Sequence, residues 1–476
     1  MTTPVLKRKA LTVRPLKTSQ TVGAVLAFQG MANAIPLLHG SQGCSAFTKV
    51  FFVRHFREPI PIQTTALDQT STIMGADGNL IEAMATLAAK SGAVLIGVVA
   101  TGLVSTQGCD LPRVIRHFRQ EYPQWRELPI VPVEAPDFTG CQESGYGLAV
   151  LAMVEHLITP RPWRADATLP RVNVLAASSL TPGDLEEVRD LLAAFDREAV
   201  FLPDLSDALD GHLAEGDYLP VTTGGTTLDF FKEFHQSQAT LVIGRSLFPA
   251  AERLQQLCPM PVLRFEHLMG LDATDRLVSA LANLTGGKVP SRVERWRRQM
   301  LDAMLDTHFL LGQKRVAMAG EPDLVAGFHQ LFAEMGSHTV AAVVPHRSSG
   351  RNVGPELTVV GDLDDLERVA VAEKAELLVG NSQLAETAAR LHLPLMRAGF
   401  PIFDRLGGFR EARIGYRGSR NALFEAANRL LEGAAHGISP YFSGLRSIPA
   451  SLGAVNDEQR LASVAGSSWP GSPGHG

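Results

Sequence analysis

The chain has 476 residues, 45% of them hydrophobic and 20% charged, enough apolar material for large buried cores and for roughly two to four domains. Its 44 Lys+Arg against 49 Asp+Glu give a net charge of -5, which offers no broad basic surface to nucleic acid and no polybasic anchor to a membrane. The first residues carry positive charge without a following apolar stretch, and no later run reaches the ~18 uncharged apolar residues that a span requires, so a cytoplasmic location is expected.

The first block runs from residue 1 to about 165. Val22 to Phe28 and the small, apolar residues after it suit a buried helix leading to Pro36. There the chain reaches Pro36-Leu-Leu-His-Gly-Ser-Gln-Gly-Cys44, where Gly40 and Gly43 break an apolar run and present one thiol. Two glycines so close permit a tight turn, and a sulfur in the first turn of the helix that follows feels its positive end, which favours a thiolate metal ligand. An ordinary turn holding a partly buried free cysteine accounts for the same pattern. Pro59 ends the next helix, and Leu80 to Lys90 forms another. Val94 to Ala100 is a continuous apolar run, the signature of a parallel strand buried on both faces, and Ile130 to Val133 is a second strand. The loops at Cys44, Gly102 to Cys109 and Gly140 to Gly147 then fall at strand ends, where open α/β sheets bind ligands.

A Pro-rich linker, Pro160 to Pro170, precedes a second block, 166–290, with strands at Val172 to Ala177, Ala199 to Leu202, Leu241 to Ile243 and Val262 to Arg264 and a closing helix, Ala273 to Leu284. A third block, 291–440, opens with a helix from Ser291 to Leu311 and a strand from Arg315 to Gly320 leading to Glu321-Pro-Asp323. Alternation of strand and helix predicts an α/β fold of parallel sheets joined by right-handed crossovers. The remainder, 441–476, is a Gly-, Ser- and Pro-rich tail whose end is expected to be disordered.

The candidate motifs are few. No dinucleotide fingerprint, phosphate loop or HExxH pair is present, which excludes a nicotinamide dehydrogenase, an ATPase and a zincin. Thr222-Thr-Gly-Gly-Thr-Thr227 reads as a turn, and Asp362-Leu-Asp-Asp-Leu-Glu367 as an acidic helix start. The four cysteines, Cys44, Cys109, Cys141 and Cys258, include no CxxC pair, which argues against a disulfide scaffold and a self-contained cluster motif. Cys258, before Pro259, reads as structural. An iron-sulfur cluster takes four thiolates, so if Cys44 is one, the others converge from elsewhere or from another chain.

His39-Gly-Ser-Gln-Gly-Cys44, Val53-Arg-His-Phe-Arg-Glu-Pro59, Met74-Gly-Ala-Asp-Gly-Asn79, Arg397-Ala-Gly-Phe-Pro-Ile-Phe-Asp404 and Gly415-Tyr-Arg-Gly418 together resemble the nitrogenase molybdenum-iron protein family, in its β-type branch. The resemblance covers about residues 15 to 445 and implies three Rossmann-like domains and a metal cluster near an interface with an α-type partner. Where the catalytic β subunit carries two further cluster cysteines, this chain has Ile62 and Gly102, neither of which ligates iron. What the resemblance then implies is a subunit of the α2β2 scaffold on which the iron-molybdenum cofactor matures. Cys44 would supply one ligand of a [4Fe-4S] cluster shared with the partner, which itself holds most of the cofactor precursor. Gly40, Gly43 and Gly102 would leave the cluster room, with His39 and Ser45 as donors to sulfur. Cys141 aligns with a serine near the catalytic cluster, and Met74 with the face on which the nitrogenase iron protein docks. A catalytic β subunit of a nitrogenase-like reductase is the rival, which leaves open whether the chain is part of an enzyme; a structural subunit without metal is another.

Overall fold

Apolar runs bounded by glycine or by capping residues become parallel strands, and the stretches between them become crossover helices. The structure, a computed structural model, describes residues 5–6, 12–213, 220–346 and 358–435. The first sheet sets Gln63–Thr64, Ala34–His39, Leu95–Ala100 and Ile130–Glu134 side by side. The second orders Glu198–Phe201, Arg171–Ala176, Ala239–Ile243 and Val262–Phe265. The third has six strands, in the order Val5–Leu6, Thr358–Val360, His338–Val344, Arg315–Ala319, Leu377–Gly380 and Leu395–Arg397. Their pairings are parallel throughout, and helices cover the sheets as the alternation predicts. Val5 pairs with Val359, so the first described residues join the last sheet, and Arg14 ties the following segment to Glu367 at 2.5 Å.

Several expected elements coincide with observed ones: the strand at Leu95–Ala100 is buried along its whole length, and the helix Ser291–Leu311 has the expected ends. The segment before the cysteine turn differs. The helix Gln20–Gln29 stops at Gly30, and Ala34–His39 is a central strand rather than more helix. Pro36 is tolerated there because the even-numbered residues turn away from Leu95–Ala100, toward a neighbour only two residues long; Leu38 O accepts the Thr65 N–H at 3.0 Å on that side. The short helix Gln69–Met74 was not expected; it buries none of its residues and is held by an Asp68–Ser71 capping box.

The helices Gln20–Gln29 and Gln142–Leu157 cross at backbone contact. A Cβ on Gly23 would lie 1.8 Å from Gln142 O, and one on Gly145 1.8 Å from Gln20 O. The Thr222–Thr227 segment is a structural turn, as read: Thr222 Oγ1 accepts the Ala34 N–H at 2.7 Å and Thr226 Oγ1 donates to Phe201 O at 2.6 Å. The acidic run at Asp362 is the capping box of the helix Leu363–Ala372, and Cys258 is buried in the main core. The expected tail, 441–476, lies outside the described residues.

Candidate functional site

The strands of the first sheet end at His39, Ala100 and Glu134, and the segments that follow them carry Cys44, Cys109 and Cys141 respectively. Cys44 sits in the first turn of the helix Gln42–Phe56, the position expected from its sequence. Its thiol is half-buried against the main core, its N–H bonds Ser41 O at 3.2 Å, and its carbonyl accepts from Thr48 Oγ1 at 2.8 Å. The sulfur lies 3.4 Å from Ser41 Oγ.

Two threonines clamp the chain just before it. Thr101 Oγ1 donates to His39 O at 3.0 Å, and Thr65 Oγ1 accepts the Gly40 N–H at 3.1 Å while meeting His39 Nδ1 at 3.0 Å. Gly40 is required by that fit, since a Cβ would lie 2.4 Å from Thr101 Oγ1. Gly43 faces open space, and a Cβ on Gly102 would make only ordinary contact with Phe138 at 3.5 Å. His39 is wholly buried, with Nε2 unpartnered, and burial holds its imidazole down at about 4, so it is neutral. Ser45 is buried on the same helix as Cys44. Ile62 is buried in the main core.

An apolar stripe lies exposed on the Cys44 helix, beside the exposed Lys49 and Arg54. Phe47 is 70% exposed and Val50 52%, and Val53 continues the stripe at helical spacing. Phe138, beside Gly102, is exposed as well. Met74 and Ile73 end a short helix at the surface, each more than 80% exposed.

Cys109 and Cys141 are engaged elsewhere. Cys109 is half-buried, 3.8 Å from Asp77 Oδ1, and burial pushes its thiol up to about 11. Cys141 caps the helix Gln142–Leu157 and gives its S–H to Glu321 Oε2 at 2.9 Å. That bond belongs to a buried cluster that the sequence alone did not bring together. Glu143 accepts the Asp323 N–H at 2.9 Å, and Asp323 accepts the N–H groups of Arg245 and Ser246 at 3.1 Å, joining elements next to all three sheets. Burial pushes Glu321 up to about 7 and raises Glu143 and Asp323 as well. The only trace of this cluster in the sequence is acidic residues at two helix starts 180 positions apart.

Among the described residues no three His, Cys, Asp or Glu side chains are grouped to hold a metal ion, so Cys44 offers a single thiol at the surface. Residues 19–431 match the model of the family described as nitrogenase component 1 type oxidoreductase. The chain belongs to the nitrogenase component 1 family. Within it the chain falls in the NifN branch. It is 43% identical to the nitrogenase iron-molybdenum cofactor biosynthesis protein NifN of Klebsiella pneumoniae, across 93% of this chain and 96% of that one. It is 43% identical to the protein of the same name from a Nostoc species, across 90% and 95%. A solved component 1 structure, nitrogenase Cp1 at pH 6.5, superposes with a TM-score of 0.85 at 28% identity, across 93% of this chain and 98% of that one. The component 1 fold of three helix-flanked parallel sheets is thus shared at the level of the whole chain, and none of its described helices is long and apolar enough to cross a membrane.

Proposed function

We propose that this chain is the β-type subunit of an α2β2 scaffold on which the nitrogenase iron-molybdenum cofactor is assembled, and that Cys44 supplies one ligand of a [4Fe-4S] cluster shared with a NifE-like α-type subunit. The observation that carries the reading is a lone, half-buried thiol in the first turn of a helix that bears an exposed apolar stripe. A site with one ligand is completed across an interface, and Phe47, Val50 and Val53 are the kind of surface an interface buries. The relatives' names, as cofactor biosynthesis proteins, agree with it. A catalytic β subunit of a nitrogenase-like reductase would need ligands where Ile62 and Gly102 stand.

The residues present fit such a group. A half-buried thiol 3.4 Å from the Ser41 hydroxyl at a helix start is placed to serve as a ligand, and Gly43 leaves the space before it open. When bound, the cluster supplies one-electron transfer. This chain's part is to hold and shield it. Thr65 and Thr101 fix the His39-Gly40 peptide from which the cysteine turn departs, and burial keeps His39 neutral. Ile73 and Met74 offer an apolar tip on which the nitrogenase iron protein docks, bringing electrons from outside the scaffold. The cofactor precursor is held mainly by the α-type partner. Iron analysis with electron paramagnetic resonance on the co-purified heteromer tests the ligand: Cys44→Ala loses the interface signal, and an unchanged signal would sink the assignment.

A further inference from the structure

Ser41 occupies the position before the helix Gln42–Phe56 where serine ordinarily accepts a backbone N–H of the first turn. Here it makes no such bond. The Cys44 N–H is taken by the Ser41 carbonyl at 3.2 Å, and the hydroxyl instead lies 3.4 Å from Cys44 Sγ. With a free thiol either atom can donate, but an iron-bound thiolate has no proton to give, so the hydroxyl becomes the donor. Thr48 Oγ1 bonds the Cys44 carbonyl and not its sulfur, which leaves Ser41 as the neighbouring side chain that meets the sulfur.

We propose that Ser41 is a positioning residue whose O–H donates to the Cys44 thiolate and raises the reduction potential of the cluster bound there. This rests on the reading of Cys44 as an iron ligand. Hydrogen bonds to cluster sulfur stabilise the more negative, reduced state, which sets the direction. Ser41 is half-buried, so this donor is partly shielded from the water that would otherwise compete with it.

The test uses the co-purified heteromer with wild type, Ser41→Ala, Ser41→Thr, Thr48→Ala and Cys44→Ala. Proton electron-nuclear double resonance on the reduced cluster, in light and heavy water, shows an exchangeable proton coupling in wild type and Ser41→Thr that is missing in Ser41→Ala. The midpoint of Ser41→Ala moves to more negative potential, so that its reduced-to-oxidised ratio at a fixed ambient potential falls by about tenfold, equivalent to about 59 mV for one electron. Thr48→Ala, which perturbs the same turn without touching the sulfur, keeps both the coupling and the midpoint. Absence of the coupling in wild type, or a Ser41→Ala variant that retains both coupling and potential, overturns the proposal. A cluster signal that survives Cys44→Ala overturns the ligand reading instead, and the two failures are told apart by that variant.

Discussion

At the scale of single residues, burial decides what each titratable group near the candidate site can do. His55 accepts the Ile402 N–H at 2.9 Å and is held at about 4 by burial, as His39 is. Both pKa values lie below the unfolded value of 6.5, so the stability these rings contribute is present above pH 6.5 and is lost as pH falls toward 4. Acid titration followed by circular dichroism should therefore show stability falling below pH 6.5, and His55→Gln, which retains an acceptor for Ile402, should flatten part of that fall. Cys141 is buried too, and burial raises its thiol rather than lowering it. Its bond to Glu321 is partly buried, so Cys141→Ala leaves that carboxyl without its donor and should cost about 1–3 kcal/mol, read by chemical denaturation, while leaving the interface cluster signal intact. Thiols were legible in the sequence as candidates, but their partners were not. Cys44 could be placed because a glycine turn and a helix start are local, whereas the Cys141–Glu321 pair joins residues 180 apart that only the packed sheets bring together.

At the scale of elements, close backbone approach and exposed apolar faces carry the predictions. The crossing of Gln20–Gln29 with Gln142–Leu157 leaves no room for a side chain at Gly145, whose Cβ would meet Gln20 O at 1.8 Å. Gly145→Ala should destabilise by about 3 kcal/mol or fail to accumulate, because backbone cannot yield as a side chain tip does. The apolar stripe of Gln42–Phe56 predicts a different outcome. Phe47→Asp leaves thermal stability of the chain within about 0.5 kcal/mol, since the ring is 70% exposed, but lowers recovery of the α-type partner in co-purification. Equal recovery with the aspartate in place would remove this helix from the interface. Element types were readable where the signal was strong: the unbroken run at Leu95–Ala100 gave a strand, and the long amphipathic stretch at Ser291–Leu311 a helix. Ala34–His39 was hidden by Pro36, whose tolerance depends on how short the neighbouring strand is. Gln69–Met74 was hidden because a surface helix that buries nothing shows no apolar period.

At the scale of the whole molecule, three parallel sheets meet through buried polar groups as well as through apolar packing. Glu321, raised to about 7 from 4.5 by burial, contributes stability that is full below pH 4.5 and lost as pH rises through 7. With the histidine contribution lost on the acid side, the melting temperature should peak at mildly acidic to neutral pH, and Glu321→Gln should lessen the alkaline decline. The alternation of strand and helix and the spaced motifs made the architecture legible from end to end, because they repeat along the chain. The site was legible only in part: a glycine turn and a helix start place Cys44, while on the proposed reading the other ligands belong to another subunit. The central claim is that Cys44 is this chain's contribution to a shared cluster. The most direct test is iron content and electron paramagnetic resonance of the co-purified heteromer carrying Cys44→Ala: loss of the interface [4Fe-4S] signal and its iron is the expected result, and a signal unchanged from wild type would contradict the account.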